Sequence, residues 1–128
     1  MNYLLVMLGG ALGALCRYGL GQLLSGMKAF SMPLGTLTIN LLGCFLLGLL
    51  TGYTCRNLPL PMLSEEQTRQ VMLLLTVGFC GAFTTFSTFS GETIKAMEAG
   101  LLWQSLLYAV LSVTLGLLLF WWGKNIAG

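Results

Sequence analysis

Between Gly78 and Ser90 the chain reads G-F-C-G-A-F-T-T-F-S-T-F-S, and Thr84, Thr85, Ser87, Thr88 and Ser90 put five hydroxyls into that stretch. The thirteen mostly apolar residues leading into it, Val71 to Phe83, cover only ~20 Å of helix, short of a ~30 Å hydrocarbon core. If the hydroxyl-rich tail also lies in the bilayer, its polar groups must face protein or water. Four more polar residues sit in apolar surroundings: Arg17, Asn40, Tyr108 and Ser112. Every member of this set can donate a hydrogen bond. The acids, Glu65, Glu66, Glu92 and Glu98, read as flanking the apolar segments, whereas a proton- or cation-coupled transporter normally needs a carboxylate within the membrane. Donors without carboxylates suit a small anion that must shed its water. Phe86 and Phe89, three residues apart, could present ring edges of partial positive charge to such an ion, although packing is the ordinary use of aromatics at helical spacing. The chain has no histidine and, on this reading, no buried acid, so it lacks a nucleophile–base pair and catalysis is not expected.

These residues need a membrane to hold them. The chain is 56% hydrophobic and only 8% charged, against roughly 25% charged in soluble domains, and 128 residues offer no single core for that apolar surplus. The class is an integral membrane protein. A net charge of +2 is too small and scattered for nucleic acid. Cys16, Cys44, Cys55 and Cys80 show no metal-ligand spacing, so neither zinc nor a disulfide is expected. The N-terminus lacks a basic region and a cleavage site, so the first apolar segment is expected to be retained.

The expected architecture is all-α. A single transmembrane domain over residues 1–128 is expected to have four helices at about 3–24, 34–54, 68–97 and 101–122, with a break in the third at the hydroxyl-rich stretch. In the first, Gly9, Gly13, Arg17 and Gly21 recur every four residues and share a face, which lets another helix approach closely. An arginine well inside such a span usually faces a polar cavity. In the second, Thr36, Asn40, Gly43 and Gly48 fall near one face; Asn40 is either inter-helix glue, worth ~0.6–2 kcal/mol, or a donor to something passing through. Ser64 to Gln67, S-E-E-Q, is a capping-box pattern that starts the third helix, and its charges read as a solvated helix start. Val71 to Met97 is long enough to span even with a break, which favours embedding the hydroxyl cluster. In the fourth, Ser105, Tyr108, Ser112 and Gly116 form one polar stripe, and Trp121, Trp122 and Lys124 are interfacial anchors. Arg56, Arg69 and Lys124 lie on one side of the membrane, with Lys28 and Lys95 on the other. That near-even split predicts insertion in both orientations.

Three motifs carry a resemblance to the Fluc (CrcB-type) family of microbial fluoride channels: G-G-x-x-G-A-x-x-R-Y from Gly9 to Tyr18, G-T-x-x-x-N-x-x-G-x-x-x-x-G from Gly35 to Gly48, and the Gly78 to Ser90 stretch. The match covers all four spans in order, and the third motif is the specific one. The resemblance implies an antiparallel, dual-topology homodimer in the cell inner membrane. Its two fluoride pores would be lined by both subunits, letting fluoride leave the cytoplasm passively. It further implies that Phe86, Phe89, Asn40, Ser87, Thr88, Ser90, Tyr108 and Ser112 line the pore and that Arg17 sits at the vestibule. Gly81 and Thr84 would lend backbone carbonyls to a structural sodium ion (Na+) at the dimer interface. Ala82 departs from the pattern, since many members carry a second glycine there, and its methyl lies beside the implied sodium site. Two other readings share the size and composition: a small dual-topology multidrug/proton antiporter, and a structural membrane subunit.

Overall fold

A computed structural model describes residues 1–29, 32–56 and 59–128 of the chain. It is built from helices: α1 (Asn2–Leu23), α2 (Leu34–Cys55), α3 (Glu65–Leu73), a π-helical segment (Leu74–Cys80), a short α4 (Gly81–Phe83), α5 (Phe86–Glu98) and α6 (Leu102–Ala127). Residues Asn2–Leu23, Leu34–Cys55, Glu65–Glu98 and Leu102–Ala127 make four helical stretches long and apolar enough to cross a membrane. Two two-residue strands, Lys28–Ala29 and Met32–Pro33, pair antiparallel between α1 and α2.

Local signals in the chain set the helix ends. Ser64 and Gln67 close a reciprocal capping box at the start of α3, with Gln67 N–H donating to Ser64 Oγ (3.2 Å) and Ser64 N–H to Gln67 Oε1 (2.9 Å). This arrangement satisfies two of the donors a helix start leaves orphaned. At the other end of the third span, Leu101 N–H reaches back to the Ala96 carbonyl and Gly100 N–H to that of Met97. This C-terminal stop needs a left-handed residue, and Gly100 supplies it at φ 81°.

Backbone-to-backbone approach over glycine holds the bundle together. One face of α1 follows the third span along its length: a Cβ at Gly9 would run into the Leu74 carbonyl oxygen, and one at Gly13 into that of Phe79. Arg17, one turn further on, donates from Nε to the Ala82 carbonyl (3.0 Å). The α2–α6 pair interlocks the same way, with Gly48 under the Phe120 carbonyl, Gly52 under that of Lys124, and Gly123 against that of Phe45. Lipid tails are as apolar as leucine, so close van der Waals packing supplies much of this association. Gly13→Ala is therefore expected to destabilise the protein by about 1–3 kcal/mol through overpacking. At Gly19 on the same helix an added Cβ meets nothing within 4 Å. Gly19→Ala should be neutral or slightly stabilising, since alanine is the better helix former. Thermal unfolding in detergent compares the two, and equal effects would remove the packing explanation.

Candidate functional site: the break in the third span

The third span is interrupted at two residues. Thr84 (φ −78°, ψ 155°) and Thr85 (φ −146°, ψ 111°) are extended between α4 and α5. Asn40, reaching across from α2, clamps the break: Nδ2 donates to the Thr85 carbonyl (3.1 Å), and Oδ1 accepts the Thr85 N–H (2.8 Å). Thr85 then caps α5, its Oγ1 accepting from Thr88 N–H (3.3 Å) and donating to Thr88 Oγ1 (3.0 Å), with Ser87 Oγ at 3.4 Å. A backbone opened inside a bilayer must find partners within the protein, and the Asn40 amide provides both for the buried Thr85.

The clamp has a second consequence. In a continuous α-helix the N–H groups of Thr85 and Thr88 would go to the carbonyls of Gly81 and Thr84, four residues back. Here they go to Asn40 Oδ1 and Thr85 Oγ1. The Gly81 and Thr84 carbonyl oxygens are thus released from the helical ladder, with Gly81 exposed and Thr84 half-buried. Hard oxygen donors suit a hard cation, so these two positions fit the sodium ion that the resemblance implies. Thr84 Oγ1, by contrast, is turned back to the Cys80 carbonyl (3.0 Å).

Below the break lies a groove of about 280 Å³ whose lining includes Asn40, Thr84, Thr85, Phe86, Phe89 and Ser112. The Phe86 and Phe89 rings are 5.7 Å apart and tilted by 43°. Phe86 is 79% exposed, while Phe89 leans on Tyr108 at 5.2 Å. Ser112 Oγ is, among the described residues, the buried side-chain nitrogen or oxygen left without a hydrogen-bond partner. An orphaned hydroxyl inside a bundle costs free energy unless something visits it.

Ser87 and Thr88 are exposed on the first turn of α5. Ser90 donates to the Phe86 carbonyl of its own helix (2.9 Å). Tyr108 is 2% exposed and stands behind Phe89, its hydroxyl donating to Glu92 Oε2 (2.9 Å). Arg17 faces the carbonyl end of α4, where its charge meets helix carbonyls that α5 does not continue.

One expectation is corrected. Glu92 does not flank the spans: it lies within Glu65–Glu98, and Thr36 (2.8 Å) and Tyr108 (2.9 Å) each donate to its half-buried carboxylate. On the same stripe of α6 as Tyr108, Ser105 is buried and donates to the Thr93 carbonyl beside Glu92. The sequence around Glu92, S-G-E-T-I-K, resembles a helix end; the partners that hold the acid are 56 and 16 residues away.

These features define a class, a small multi-span membrane protein organised around a clamped break in one helix, with an aromatic and hydroxyl groove beside it. Comparison with known proteins names the family. Residues 4–124 match the family described as CrcB-like protein, Camphor Resistance (CrcB), and the chain belongs to it. A relative from Thermus thermophilus is 43% identical over 127 residues, covering 99% of this chain and 95% of its own. One from Oceanobacillus iheyensis is 44% identical over 126 residues (98% and 91%), and one from Solibacter usitatus is 41% identical over 128 residues (99% and 98%). All three are named fluoride-specific ion channel FluC.

Proposed function

We propose that the protein is a fluoride channel of the inner membrane that lets fluoride leave the cytoplasm passively. The carrying observation is the groove at the clamped break, where the Phe86 and Phe89 rings and the unpaired Ser112 hydroxyl line one surface. Ring edges and a hydroxyl proton offer partial positive charge to an anion without fixing it in place. The names of the relatives supply the ion.

The chain acts as an antiparallel, dual-topology homodimer. Its nearly balanced loop charges support this, with three cations at one end and two at the other. Each subunit lends part of two pores, and sodium binds where the released carbonyls of Gly81 and Thr84 meet those of a second copy. Arg17 raises the anion concentration near the break. Asn40 holds the break open, and its second amide proton is left to face the ion.

A missing carboxylate does not count against the antiporter reading, because Glu92 is inside the bundle. Family membership now decides against it. In the test, purified protein is reconstituted into fluoride-loaded vesicles and efflux is followed with a fluoride electrode. Rapid efflux that starts only when a potassium ionophore relieves the membrane potential is expected. Efflux equal to that of protein-free vesicles would overturn the reading.

A further inference from the structure

Away from the break, a groove runs down the outside of the α2–α3 pair. Its mouth, a cavity of about 320 Å³, lies between the end of α2 and the first turns of α3 and is lined in part by Tyr53, Glu65, Thr68 and Arg69. A second cavity of about 360 Å³ continues towards the middle of the span along Leu47, Thr51, Leu73 and Thr76. The two share Thr54, Arg69 and Met72 in their linings, so they adjoin along the same helices.

The inner part suits a hydrocarbon chain. Its three threonines have no free proton, since Thr51, Thr54 and Thr76 donate to the carbonyls of Leu47, Leu50 and Met72 on their own helices. The mouth carries charges of both signs. Arg69 uses one donor on Glu66 (2.5 Å), and Glu66 also accepts from Gln70 (3.1 Å). A guanidinium has five N–H groups, and among the described residues Arg69 donates to Glu66 alone. Glu65, four residues before Arg69 and so on the same face, has no hydrogen-bond partner among the described residues. Among the described residues, the mouth thus offers one carboxylate without a hydrogen-bond partner beside one partly used guanidinium.

We infer that this groove binds a phosphatidylethanolamine molecule, with an acyl chain along Leu47, Met72 and Leu73, the phosphate on Arg69 and the primary ammonium on Glu65. The charge pattern selects this headgroup. Phosphatidylcholine has the phosphate, but its quaternary ammonium has no N–H to give Glu65. Phosphatidylglycerol has no cation and meets Glu65 and Glu66 as like charges. A second protein copy laid over the mouth would have to bury the Arg69–Glu66 pair, whose side chains are 73% and 56% exposed, at a desolvation cost. A lipid headgroup leaves that pair at the wet interface.

Native mass spectrometry of the full-length protein in detergent, with the three phospholipids matched in acyl chain and concentration, tests the assignment. Phosphatidylethanolamine should be retained about tenfold better than either of the others, the usual worth of one hydrogen bond to a charged group. Glu65→Gln should bring phosphatidylethanolamine down to the phosphatidylcholine level, and Arg69→Gln should weaken all three. Both side chains are exposed, so neither change should disturb folding or fluoride efflux. Equal retention of the three lipids, a preference for phosphatidylglycerol, a preference that survives Glu65→Gln, or no retained lipid because a second copy covers the groove would each overturn the assignment.

Discussion

Asn40→Ala should abolish fluoride efflux from reconstituted vesicles and lower thermal stability together, because one amide performs both tasks. The substitution strands the Thr85 N–H and carbonyl at once, and Thr85 is buried. Each stranded group costs about 1–3 kcal/mol, so the sum is roughly 2–6 kcal/mol. Measured couplings between membrane helices are mostly smaller, which places the expected loss towards the lower end. Without the clamp, Thr85 N–H can return to the Gly81 carbonyl, and the third span regains part of its helical ladder as the groove closes. Asn40→Asp separates the two tasks. It keeps the acceptor for Thr85 N–H, so more of the stability should survive, yet it places a negative charge on the proposed anion path, so efflux should still be lost. If Asn40→Ala leaves both the unfolding temperature and the efflux rate unchanged, the clamp is not what shapes this site.

The spans and their punctuation were legible in the chain because their causes are local. Hydropathy marks the spans, Ser64 and Gln67 announce the start of α3, and glycine at every fourth residue marks the face of α1 that meets another backbone. The Thr84–Ser90 cluster already pointed to an irregular helix, since so many hydroxyls would be costly on a lipid-facing surface. The missing parts depend on distance. Asn40 left packing and ion contact open in sequence, because its partner is a backbone 45 residues away. The π-helical turn from Leu74 to Cys80 has no composition of its own. It appears where the third span lies against the bare α1 backbone at Gly9 and Gly13. The setting of Glu92 is hidden for the same reason, as a carboxylate's local sequence does not show that Thr36 and Tyr108 enclose it.

This division explains why α1 is so intolerant along one face and so open elsewhere. Gly9, Gly13 and Arg17 meet three successive parts of the third span: the start of the π segment, its end, and the carbonyl end of α4. A helix that ends in mid-membrane leaves carbonyls unmatched, and Arg17 satisfies one of them from outside. The break is thereby held from two sides, with Asn40 on the α5 end and Arg17 on the α4 end.

Phe86→Ile and Phe89→Ile should each slow fluoride efflux at least about tenfold, a barrier increase of ~1.4 kcal/mol, while the protein elutes at the same volume as the parent. The structural cost of the two changes differs, which makes the pair informative. Phe86 is 79% exposed, so its replacement removes little buried area and should leave thermal stability nearly unchanged. Phe89 packs on Tyr108 at 5.2 Å, and losing that aromatic pair should cost an additional ~0.5–1.5 kcal/mol. If packing were the reason for both rings, the efflux defect would follow the stability defect, and Phe86→Ile would be nearly silent. If the ring edges face the ion, both variants lose efflux by similar factors despite unequal stability, because isoleucine fills similar space but has no positive edge. Efflux and unfolding measured on the same two preparations decide the matter: a Phe86→Ile protein that conducts as well as the parent would leave the aromatic pair with a packing role alone.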